Sequence, residues 1–437
     1  MVCKATHCLL RLINKGGTAL PGVLALKICP DILKWASENV KTIAVTGTNG
    51  KTTSSRIIET ALQNAGQSVM ANRSGANLKS GITAQFIENL NLFGKPKCKW
   101  AVIECDEAAC AEVIPAIRPQ VLLVTNLFRD QLDRYGTVTK PRDCIVRGLN
   151  GSTETTLCVN ADCPMAASIA EKTKNEVIYF GCDTGKKTKV ESGEDSRCPM
   201  CGGKLHFSGI SYANLGKFRC EKCGFSRQNT TYSVVEIMKD NGVLFKIGNK
   251  AEMGNPALPG LYNAYNSLGA LAAVCTAGFD EHSALDAIAD FGCGFGRMEQ
   301  FEIGKNTAKM ILIKNAAAAD QTLEYLKTVR ENLIIAFIIN NRIADGTDIS
   351  WIDDADFARL KTMRGLKKVY VLGDMAEAMS NRLERDSIPS EVLTGYDSLL
   401  EILKHEKNKI FLLPTYTAML ELRQKLVKEF GGKDFWE

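Results

Sequence analysis

The sequence predicts an α/β protein whose first domain is interrupted by a cysteine-rich ribbon. Short runs of apolar and β-branched residues alternate with helical stretches, a pattern typical of a parallel sheet covered by helices. Between about 190 and 230 the alternation gives way to polar, glycine-rich and lysine-rich sequence around four cysteines. After residue 300 a second alternating series begins, which predicts a smaller C-terminal α/β domain.

Length and composition exclude several classes of protein. The 437 residues, 45% hydrophobic and 24% charged, can bury two or three domain cores. The net charge of +5 is small for this length, and the lysine and arginine residues are spread along the chain, so the charge gives no support for a nucleic-acid partner. Sixteen cysteines, irregularly spaced outside the ribbon, favour a reducing compartment over a secreted disulfide scaffold. No signal peptide is recognisable, and no run reaches the roughly 18 apolar residues of a membrane span, so we expect a cytoplasmic protein.

The individual elements follow from these patterns. In the first domain we predict buried strands at 41–47, 99–104 and 121–126, with a helix at 52–65 after the first strand. A hairpin of strands 232–238 and 243–248 and a second helix at 263–277 follow. In the second domain we predict strands at 310–314, 332–340, 368–373 and 409–414. The resulting domain limits are 1–40 for an N-terminal segment, 41–300 for the central domain with the ribbon inserted at about 190–230, and 301–437 for a Rossmann-like C-terminal domain.

A glycine loop after the first strand carries the strongest chemical signal. The stretch TGTNGKTT runs from Thr46 to Thr53, between a strand and a helix. Backbone N–H groups of such a loop, together with the positive end of the helix dipole, bind phosphates. Lys51 would reach the β and γ oxygens and the Thr52 hydroxyl would hold Mg²⁺. Val45 stands where the general P-loop has its first glycine, so the match is to the shorter G-T-x-G-K-T form. A plain glycine turn capping a helix is the alternative.

The short glycine loop resembles that of the Mur ligase family, which also contains folylpolyglutamate synthase. The family places a carboxylate on Mg²⁺ at the end of a strand, and Glu104 stands at that position here. The stretch GLYNAYNSLGALAA looks like the family's Asn-x-x-Asn helix start near the adenine, carried by Asn263 and Asn266. Arg297, in Gly-Arg-Met-Glu, matches the arginine that the family places on the nucleotide phosphates. Singly, each of these would fit a helix cap, a strand end or a surface residue equally well.

The resemblance therefore implies a central P-loop ATPase domain that binds ATP and Mg²⁺. The nucleotide would be held by a set of loop and helix residues: Gly47, Thr48, Asn49, Gly50, Lys51, Thr52, Thr53, Asn263, Asn266 and Arg297. Mg²⁺ would be held by Thr52 and Glu104, and Lys51 and Glu104 would act directly on the reacting phosphates.

Three further stretches resemble an amidating branch of the Mur ligase family, in which the ligase chain works with a GatD-type glutaminase subunit. They are NLFRDQLDRYG at 126–136, the cysteine ribbon, and NNRIADGTDISWIDDADF at 340–357. The resemblance implies ATP-dependent amidation of the α-carboxyl of D-glutamate in the stem peptide of lipid II or a related precursor, through an acyl phosphate. The lipid-linked substrate would bring the protein to the inner face of the plasma membrane.

The source of ammonia separates this chain from a self-sufficient amidotransferase. Glutamine hydrolysis needs a nucleophilic cysteine activated by a histidine. The chain has four histidines, none in a recognisable Cys–His glutaminase signature: His7, His206, His282 and His405. The resemblance implies that the partner supplies cysteine and histidine, and that Asp348 completes the triad across the interface. The alternative is that Asp345 and Asp348 are turn and helix-cap residues.

The ribbon itself predicts a metal site. Cys198 and Cys201 are separated from Cys220 and Cys223 by eighteen residues, and each pair is followed by a glycine. Four thiolates at this spacing predict a closed, tetrahedral and therefore structural Zn²⁺ site, because a catalytic zinc keeps one position open.

Two other functions remain open at this point. A conventional Mur or folylpolyglutamate ligase would add an amino acid to its substrate without a partner subunit. A nucleic-acid-binding ribbon would use the basic and aromatic residues near the cysteines, which are Lys204, Lys217, Arg219, Lys222, Phe207 and Phe218. The second function leaves the glycine loop unexplained.

Overall fold

The computed structural model describes residues 20–72, 76–128, 139–184, 197–212, 215–238, 241–291, 297–304 and 306–431, with the side chains of Tyr212 and Arg297 left out. Within these ranges the chain forms two compact units, one of residues up to 291 and one from 297 onward. Some predicted features lie outside the described residues: positions 129–136 of the segment 126–136, His7, the Arg297 side chain, and the beginning of the insertion.

The first unit is built on a nine-stranded sheet. Its strands are β1 (Lys41–Thr46), β2 (Val69–Ala71), β3 (Trp100–Glu104), β4 (Val121–Val124), β5 (Thr156–Asn160), β6 (Val177–Cys182), β9 (Tyr232–Ile237), β10 (Val243–Ile247) and β11 (Lys250–Gly254). Their order is β11-β10-β9-β6-β5-β4-β1-β3-β2. Strands β2, β3, β1, β4, β5, β6 and β9 are parallel, whereas β9, β10 and β11 are antiparallel neighbours. The hairpin of β9 and β10 confirms the sequence prediction.

Helices cover this sheet. They are α1 (Leu20–Ile28), α2 (Ile32–Ser37), α3 (Lys51–Asn64), α4 (Lys79–Asn89), α5 (Cys110–Ile117), α6 (Lys140–Asn150), α7 (Pro164–Ala167), α8 (Leu261–Thr276) and α9 (Glu281–Ala289), with a 3₁₀ turn at Ala170–Lys172. The apolar runs of β1, β3 and β4 are buried along nearly their whole length, as expected for parallel strands covered on both faces. The predicted strands and helices of this unit are therefore confirmed to within a few residues.

The cysteine ribbon is an insertion into this sheet. It contains β7 (Leu205–Tyr212) and β8 (Leu215–Cys220), which pair only with each other as a separate antiparallel sheet in the described chain. The strands that flank the insertion, β6 and β9, pair directly with each other in parallel. The chain therefore leaves the main sheet after β6 and returns to the adjacent position.

The second unit is a six-stranded sheet of order β12-β13-β17-β14-β15-β16. Its elements are β12 (Arg297–Ile303), β13 (Asn306–Ile311), α10 (Ala316–Thr328), β14 (Leu333–Ile338), α11 (Trp351–Asp354), β15 (Leu366–Leu372), α12 (Ala376–Arg385), β16 (Glu391–Val392), α13 (Tyr396–His405), β17 (Lys409–Pro414) and α14 (Tyr416–Phe430), with a 3₁₀ turn at Phe357–Thr362. Strand β12 pairs antiparallel with β13, and the other pairs are parallel. The strand predicted at 310–314 overlaps β13, which begins earlier, at Asn306. Strand β12 and its antiparallel pairing were missed by sequence reasoning, because polar residues interrupt β12 and leave no continuous apolar run.

No helix of the described chain is long and apolar enough to cross a bilayer.

Candidate functional site

The glycine loop lies between β1 and α3, at the carboxyl end of the sheet where the strand order reverses. Ligands of open α/β sheets bind at such a switch point. Gly50 caps α3 with a φ of +86°, a conformation that side chains disfavour. A Cβ on Gly50 would lie 2.0 Å from Oδ1 of Asn266. Glycine is therefore required here both by the backbone conformation and by the closeness of α8.

Two residues that follow β4 hold this loop in place. The N–H of Asn49 donates to Oδ1 of Asn126 at 3.0 Å, and Nδ2 of Asn126 donates to the Asn49 carbonyl at 3.0 Å. The N–H of Thr48 donates to the Asn126 carbonyl at 2.8 Å, and the Thr125 hydroxyl donates to the Asn49 carbonyl at 2.7 Å. The backbone of the loop is thus fixed by side chains that the next strand supplies.

Lys51 and Thr52, at the start of α3, face two carboxylates, Glu104 at the end of β3 and Glu107 just after it. The Thr52 hydroxyl donates to Oε2 of Glu104 at 2.6 Å. The Lys51 ammonium donates to Oε1 of Glu107 at 3.0 Å and to the Gly47 carbonyl. Burial alone would lower the pKa of Lys51, but the charges of Glu107 and Glu104 outweigh it and raise that pKa. The lysine therefore stays charged in this partly buried position.

The oxygen atoms of this group suit a hard cation. Mg²⁺ prefers carboxylate and hydroxyl oxygens and usually takes only one or two protein ligands alongside phosphates and water. The hydroxyl of Thr52 and the carboxylate of Glu104 offer such oxygens side by side. The donor set brought together here therefore fits Mg²⁺.

Asn72, at the end of β2, positions Glu104. Its Oδ1 accepts the Glu104 N–H at 2.8 Å, and its Nδ2 donates to the Glu104 carbonyl at 2.7 Å. Asn72 is buried. Both backbone groups of Glu104 are therefore held by one amide, which fixes the direction in which its carboxylate leaves the strand.

The two predicted asparagines of α8 are buried, and Asn266 lies beside Gly50 of the glycine loop. The Asn266 carbonyl accepts the Ser54 hydroxyl at 3.0 Å, and Nδ2 of Asn266 donates to Oδ1 of Asn263 at 3.4 Å. Nδ2 of Asn263 donates to the Pro259 carbonyl at 2.9 Å. In this structure Asn266 therefore packs beside the loop, and Asn263 contacts Asn266. Arg297 begins β12 in the second unit, and its side chain is not described.

Sequence reasoning missed three contributors to this site, which are Asn72, Glu107 and Asn126. Each follows a parallel strand next to β1 or β3, so the rule that the carboxyl ends of neighbouring strands meet could have found them. That rule needs the strand order, and the sequence alone did not supply it.

The four predicted cysteines converge in the ribbon. Their Sγ atoms all lie within 4.8 Å of one another, with 3.6 Å between Cys198 and Cys223 and 3.6 Å between Cys201 and Cys220. Zn–S bonds of 2.3 Å in a tetrahedron separate the sulfur atoms by about 3.8 Å. The cluster therefore has both the donor set and the spacing for a metal ion with four thiolate ligands.

Each Cys-x-x-Cys pair forms the same turn. The N–H of Gly202 donates to the Cys198 carbonyl and the N–H of Gly224 to the Cys220 carbonyl, both at 2.9 Å. Both glycines have positive φ, +72° and +77°. The backbone N–H of Cys223 lowers the pKa of Cys220 to about 7, whereas burial raises the pKa of Cys198 to about 12. Such N–H groups favour the thiolate form that binds a metal.

A buried ion pair joins the ribbon to the main sheet. Arg227, just after the second cysteine pair, donates to Oδ1 of Asp162, which is fully buried after β5. Oδ2 of Asp162 accepts the Tyr265 hydroxyl and the Cys182 N–H, both at 2.6 Å. Burial and the Asp162 charge raise the pKa of Tyr265, which keeps its proton for this bond. Asp162 thus connects the ribbon with β6 and α8.

The same connection continues to the glycine loop. Oδ1 of Asn160 accepts the Asp162 N–H at 3.0 Å, and its Nδ2 donates to the Thr125 carbonyl at 2.9 Å. The Thr125 hydroxyl in turn donates to the Asn49 carbonyl. A continuous path of polar contacts therefore runs from Arg227 at the base of the ribbon to the loop.

The second unit places the two candidate aspartates differently. Asp348 is exposed, and its Oδ1 accepts the Ser350 N–H at 2.8 Å, which caps the turn before α11. Asp345 binds the start of α14, where its Oδ1 accepts the Thr417 N–H at 2.6 Å and its Oδ2 the Thr417 hydroxyl. Its Oδ2 also accepts the Arg342 N–H at 3.1 Å. Asp345 is therefore structural, whereas the second oxygen of Asp348 accepts no hydrogen bond from the described residues.

Comparison with known proteins defines the class first. Residues 45–219 match the model of the Mur ligase middle domain, and residues 312–419 that of the MurT ligase C-terminal domain. The pseudomurein peptide ligase type C of Methanothermus fervidus superposes with a TM-score of 0.68 at 21% identity, covering 92% of this chain and 80% of that one. MurF of Thermotoga maritima, solved in complex with ADP, gives 0.61 at 14% identity, covering 92% and 84%. The fold is that of the Mur ligases.

The curated relatives then give the particular family. The MurT subunit of lipid II isoglutaminyl synthase (glutamine-hydrolyzing) from Streptococcus pneumoniae is 33% identical over 97% of this chain and 95% of its own. The subunit of the same name from Staphylococcus aureus strain COL is 30% identical over 97% and 95%. This chain belongs to the MurT family of Mur-type ligases, which confirms the family resemblance stated from sequence.

Proposed function

We propose that this chain catalyses the ATP-dependent amidation of the α-carboxyl of D-glutamate in the stem peptide of lipid II, which yields D-isoglutamine. The observation that carries the proposal is the similarity, along 97% of the chain, to two proteins named as MurT subunits of lipid II isoglutaminyl synthase. The preformed group of Lys51, Thr52 and Glu104 supports an ATP-dependent ligase, since phosphoryl transfer depends on positioning and charge neutralisation.

The nucleotide phosphates would lie on the glycine loop, where the backbone N–H groups at the start of α3 donate to anions. Lys51, paired with Glu107 in this structure, would move its ammonium to the β and γ oxygens. Thr52 and Glu104 would hold Mg²⁺, which neutralises phosphate charge when bound. Asn126 and Asn72 would keep the loop and Glu104 in place during the reaction.

The chemistry proceeds in two steps. An oxygen of the α-carboxylate attacks the γ-phosphorus of ATP, which forms an acyl phosphate and releases ADP. Ammonia then attacks the acyl carbon, inorganic phosphate leaves, and a proton is lost from nitrogen to give the amide. The carboxylate, a poor electrophile, thereby gains a good leaving group, and the role of Lys51 is to stabilise charge on the transferring phosphoryl group.

Ammonia would come from a GatD-type glutaminase that forms a heterodimer with this chain. The three described histidines, His206, His282 and His405, are exposed, and none of them hydrogen-bonds a cysteine thiol in the described structure. Asp348 is accessible and keeps one carboxylate oxygen available. It would orient the imidazole of the partner's catalytic histidine by accepting its N–H, as the third member of a triad does.

Zinc would occupy the four-cysteine cluster with a structural role. Four thiolates complete a tetrahedron and leave no position for substrate. Zinc binding would also affect the glycine loop. The path of polar contacts from Arg227 through Asp162 means that an ordered ribbon would help to hold Thr125 and Asn49 in place.

A reconstituted reaction tests the proposal. The chain is incubated with lipid II, ATP and Mg²⁺, and the product is analysed by mass spectrometry for the loss of about one mass unit per amidated carboxyl. We expect amidation with glutamine only when the glutaminase is present, and with ammonium salts also in its absence. Parallel reactions with a soluble nucleotide-linked precursor identify the preferred substrate. Incorporation of an added amino acid by the isolated chain, without amidation, would contradict the proposal.

A further inference from the structure

An exposed apolar tip lies between α4 and β3. Leu92 and Phe93, adjacent at this tip, are 83% and 89% exposed. Single exposed apolar residues are common in soluble proteins and need no explanation. Two large neighbours presented together at the end of a loop are a different case, because each leaves almost its whole side chain in water. We call residues 90–98 the apolar tip loop.

The apolar tip loop has a defined structure that holds the two side chains outward. Oδ1 of Asn91 accepts the N–H groups of Phe93 at 2.8 Å and Lys95 at 3.0 Å. The N–H of Asn91 donates to the Lys95 carbonyl at 2.8 Å, and Leu90 and Pro96 form an isolated β-bridge. The backbone is therefore closed into a tight hairpin, and the exposure of Leu92 and Phe93 is built into it.

The base of the hairpin is anchored to the folded core. Oδ1 of Asn89, the last residue of α4, accepts the Cys98 N–H at 2.9 Å, and its Nδ2 donates to the Cys98 carbonyl at 3.2 Å. The N–H of Lys97 donates to the Asn89 carbonyl at 2.7 Å. The tip is thus carried on a short stalk between a helix and a strand of the first unit.

Positive charge surrounds the tip. Lys95, Lys97 and Lys99 alternate along the returning chain and are all exposed. Lys41, also exposed, is next to them, since its N–H donates to the Lys99 carbonyl at 2.9 Å. Within the described chain, none of these four ammonium groups forms an ion pair with a carboxylate. The surface next to Leu92 and Phe93 is therefore basic and not neutralised locally.

We propose that the apolar tip loop docks this protein on the surface of an anionic lipid bilayer. Leu92 and Phe93 would enter the boundary between headgroups and acyl chains, and the lysines would contact anionic headgroups. A protein partner fits the feature less well, because a stable interface covers about 800 Å² per partner and two protruding side chains offer far less. The inference rests on this surface alone and does not depend on the proposed function.

The apolar tip loop is also remote from Lys51, Thr52 and Glu104, which lie in the same unit. It joins β3 at the amino end of the strand, whereas Glu104 stands at the carboxyl end. Substitutions at Leu92 and Phe93 should therefore leave the glycine loop and its carboxylates undisturbed. This separation lets membrane binding and catalysis be measured independently.

Flotation with lipid vesicles tests the proposal. The full chain is mixed at low salt with vesicles of phosphatidylcholine alone or with one third phosphatidylglycerol, and the bound fraction is measured. We expect binding to the anionic vesicles, weakened at least about tenfold in Leu92→Ser/Phe93→Ser, since about 0.8 kcal/mol is lost per CH₂ withdrawn from the apolar phase. Replacing Lys95, Lys97 and Lys99 by glutamine should weaken it about fivefold per lysine.

Ile343→Ser is the matched control, because Ile343 is 94% exposed but lies in the second unit. It should bind vesicles as the parent chain does. Failure of the parent chain to bind anionic vesicles would overturn the proposal, as would equal binding by the parent and the Leu92→Ser/Phe93→Ser variant. Amidation of a soluble precursor should be the same in all these proteins, so a loss of that activity would report on the proposed function and not on docking.

Discussion

The glycine loop of the first unit and the Asp348 segment of the second differ in how many of their polar groups have hydrogen-bond or ion-pair partners within this chain. Around the loop, Lys51 has a carboxylate partner, Glu104 has its backbone held by Asn72, and Asn49 is held by Asn126. Asp348 is exposed and makes one described hydrogen bond, to the Ser350 N–H.

This difference indicates two kinds of site. A partly buried group whose members are paired with one another is organised before its ligand arrives, so it suits a step that this chain performs alone. An exposed carboxylate that caps a turn with one oxygen leaves its other oxygen accessible, so it suits a contact with a second protein. The predictions below test whether the two regions are separable in this way.

The largest effect on activity is expected from Lys51→Met, which removes the ammonium group and keeps an unbranched side chain of similar length. Nucleotide turnover should fall by about a factor of a thousand, as for the loss of a donor that stabilises developing charge. Phosphate release in the reconstituted complex measures it. Lys250→Met is the matched control, because Lys250 also pairs with a glutamate, Glu281 at 2.9 Å, but lies on the surface away from the loop.

Lys51→Met leaves Glu107 buried beside an apolar side chain, which can destabilise the fold. The double variant Lys51→Met/Glu107→Gln removes both charges and keeps the test interpretable. Normal ATP turnover by the folded double variant would contradict the assignment of Lys51 to the phosphates.

Cys220→Ser should next reduce the bound zinc from about one to near zero per chain, since three thiolates do not complete the tetrahedron. The free energy of unfolding should fall by about 4 kcal/mol, the range expected for loss of a structural metal. Cys98→Ser, at a partly buried cysteine outside the cluster, should change neither quantity. Zinc content is read by elemental analysis, and an unchanged content in Cys220→Ser would rule out the cluster as the site.

Asn126→Ala should have a smaller effect, confined to the nucleotide. It removes both side-chain bonds to Asn49, each worth about 1 kcal/mol net, so the Kd for ATP should rise about tenfold. Asn306→Ala is the control, because the Asn306 side chain also bonds to backbone groups, as a donor to the Glu406 and Asn408 carbonyls, but lies in the second unit. Calorimetric titration with a non-hydrolysable ATP analogue measures the difference. Equal Kd values for ATP in Asn126→Ala and Asn306→Ala would show that the hydrogen bonds between Asn126 and Asn49 do not contribute to nucleotide binding.

The sequence predicted those parts of the site that are coded by short local patterns. The loop from Gly47 to Thr53 and the four cysteines have fixed spacings, and the hairpin of β9 and β10 has a clear turn between apolar runs. Glu104 was assigned from the family resemblance, at the end of a predicted strand.

The remaining parts depend on long-range placement. Glu107 is 56 residues from Lys51, Asn126 is 77 from Asn49, and Arg227 is 65 from Asp162. Those contacts exist because β1 lies between β3 and β4, and because the ribbon returns beside β6. The local sequence around Asn126 or Asp162 does not show which residue it contacts, so only the strand order reveals its partner.

The central claim is that this chain performs the ligase step while a glutaminase subunit supplies ammonia with the help of Asp348. The most direct test of this claim compares two ammonia sources in Asp348→Asn. The asparagine Oδ1 can still accept the Ser350 N–H, so the turn before α11 and the assembly with the glutaminase should persist while the charge is lost. We predict that amidation of lipid II driven by glutamine falls by about 10⁴-fold, as for the same change in a triad, whereas amidation driven by ammonium salts stays at the level of the parent complex. Unchanged glutamine hydrolysis in Asp348→Asn, or equal loss with both ammonia sources, would contradict the account.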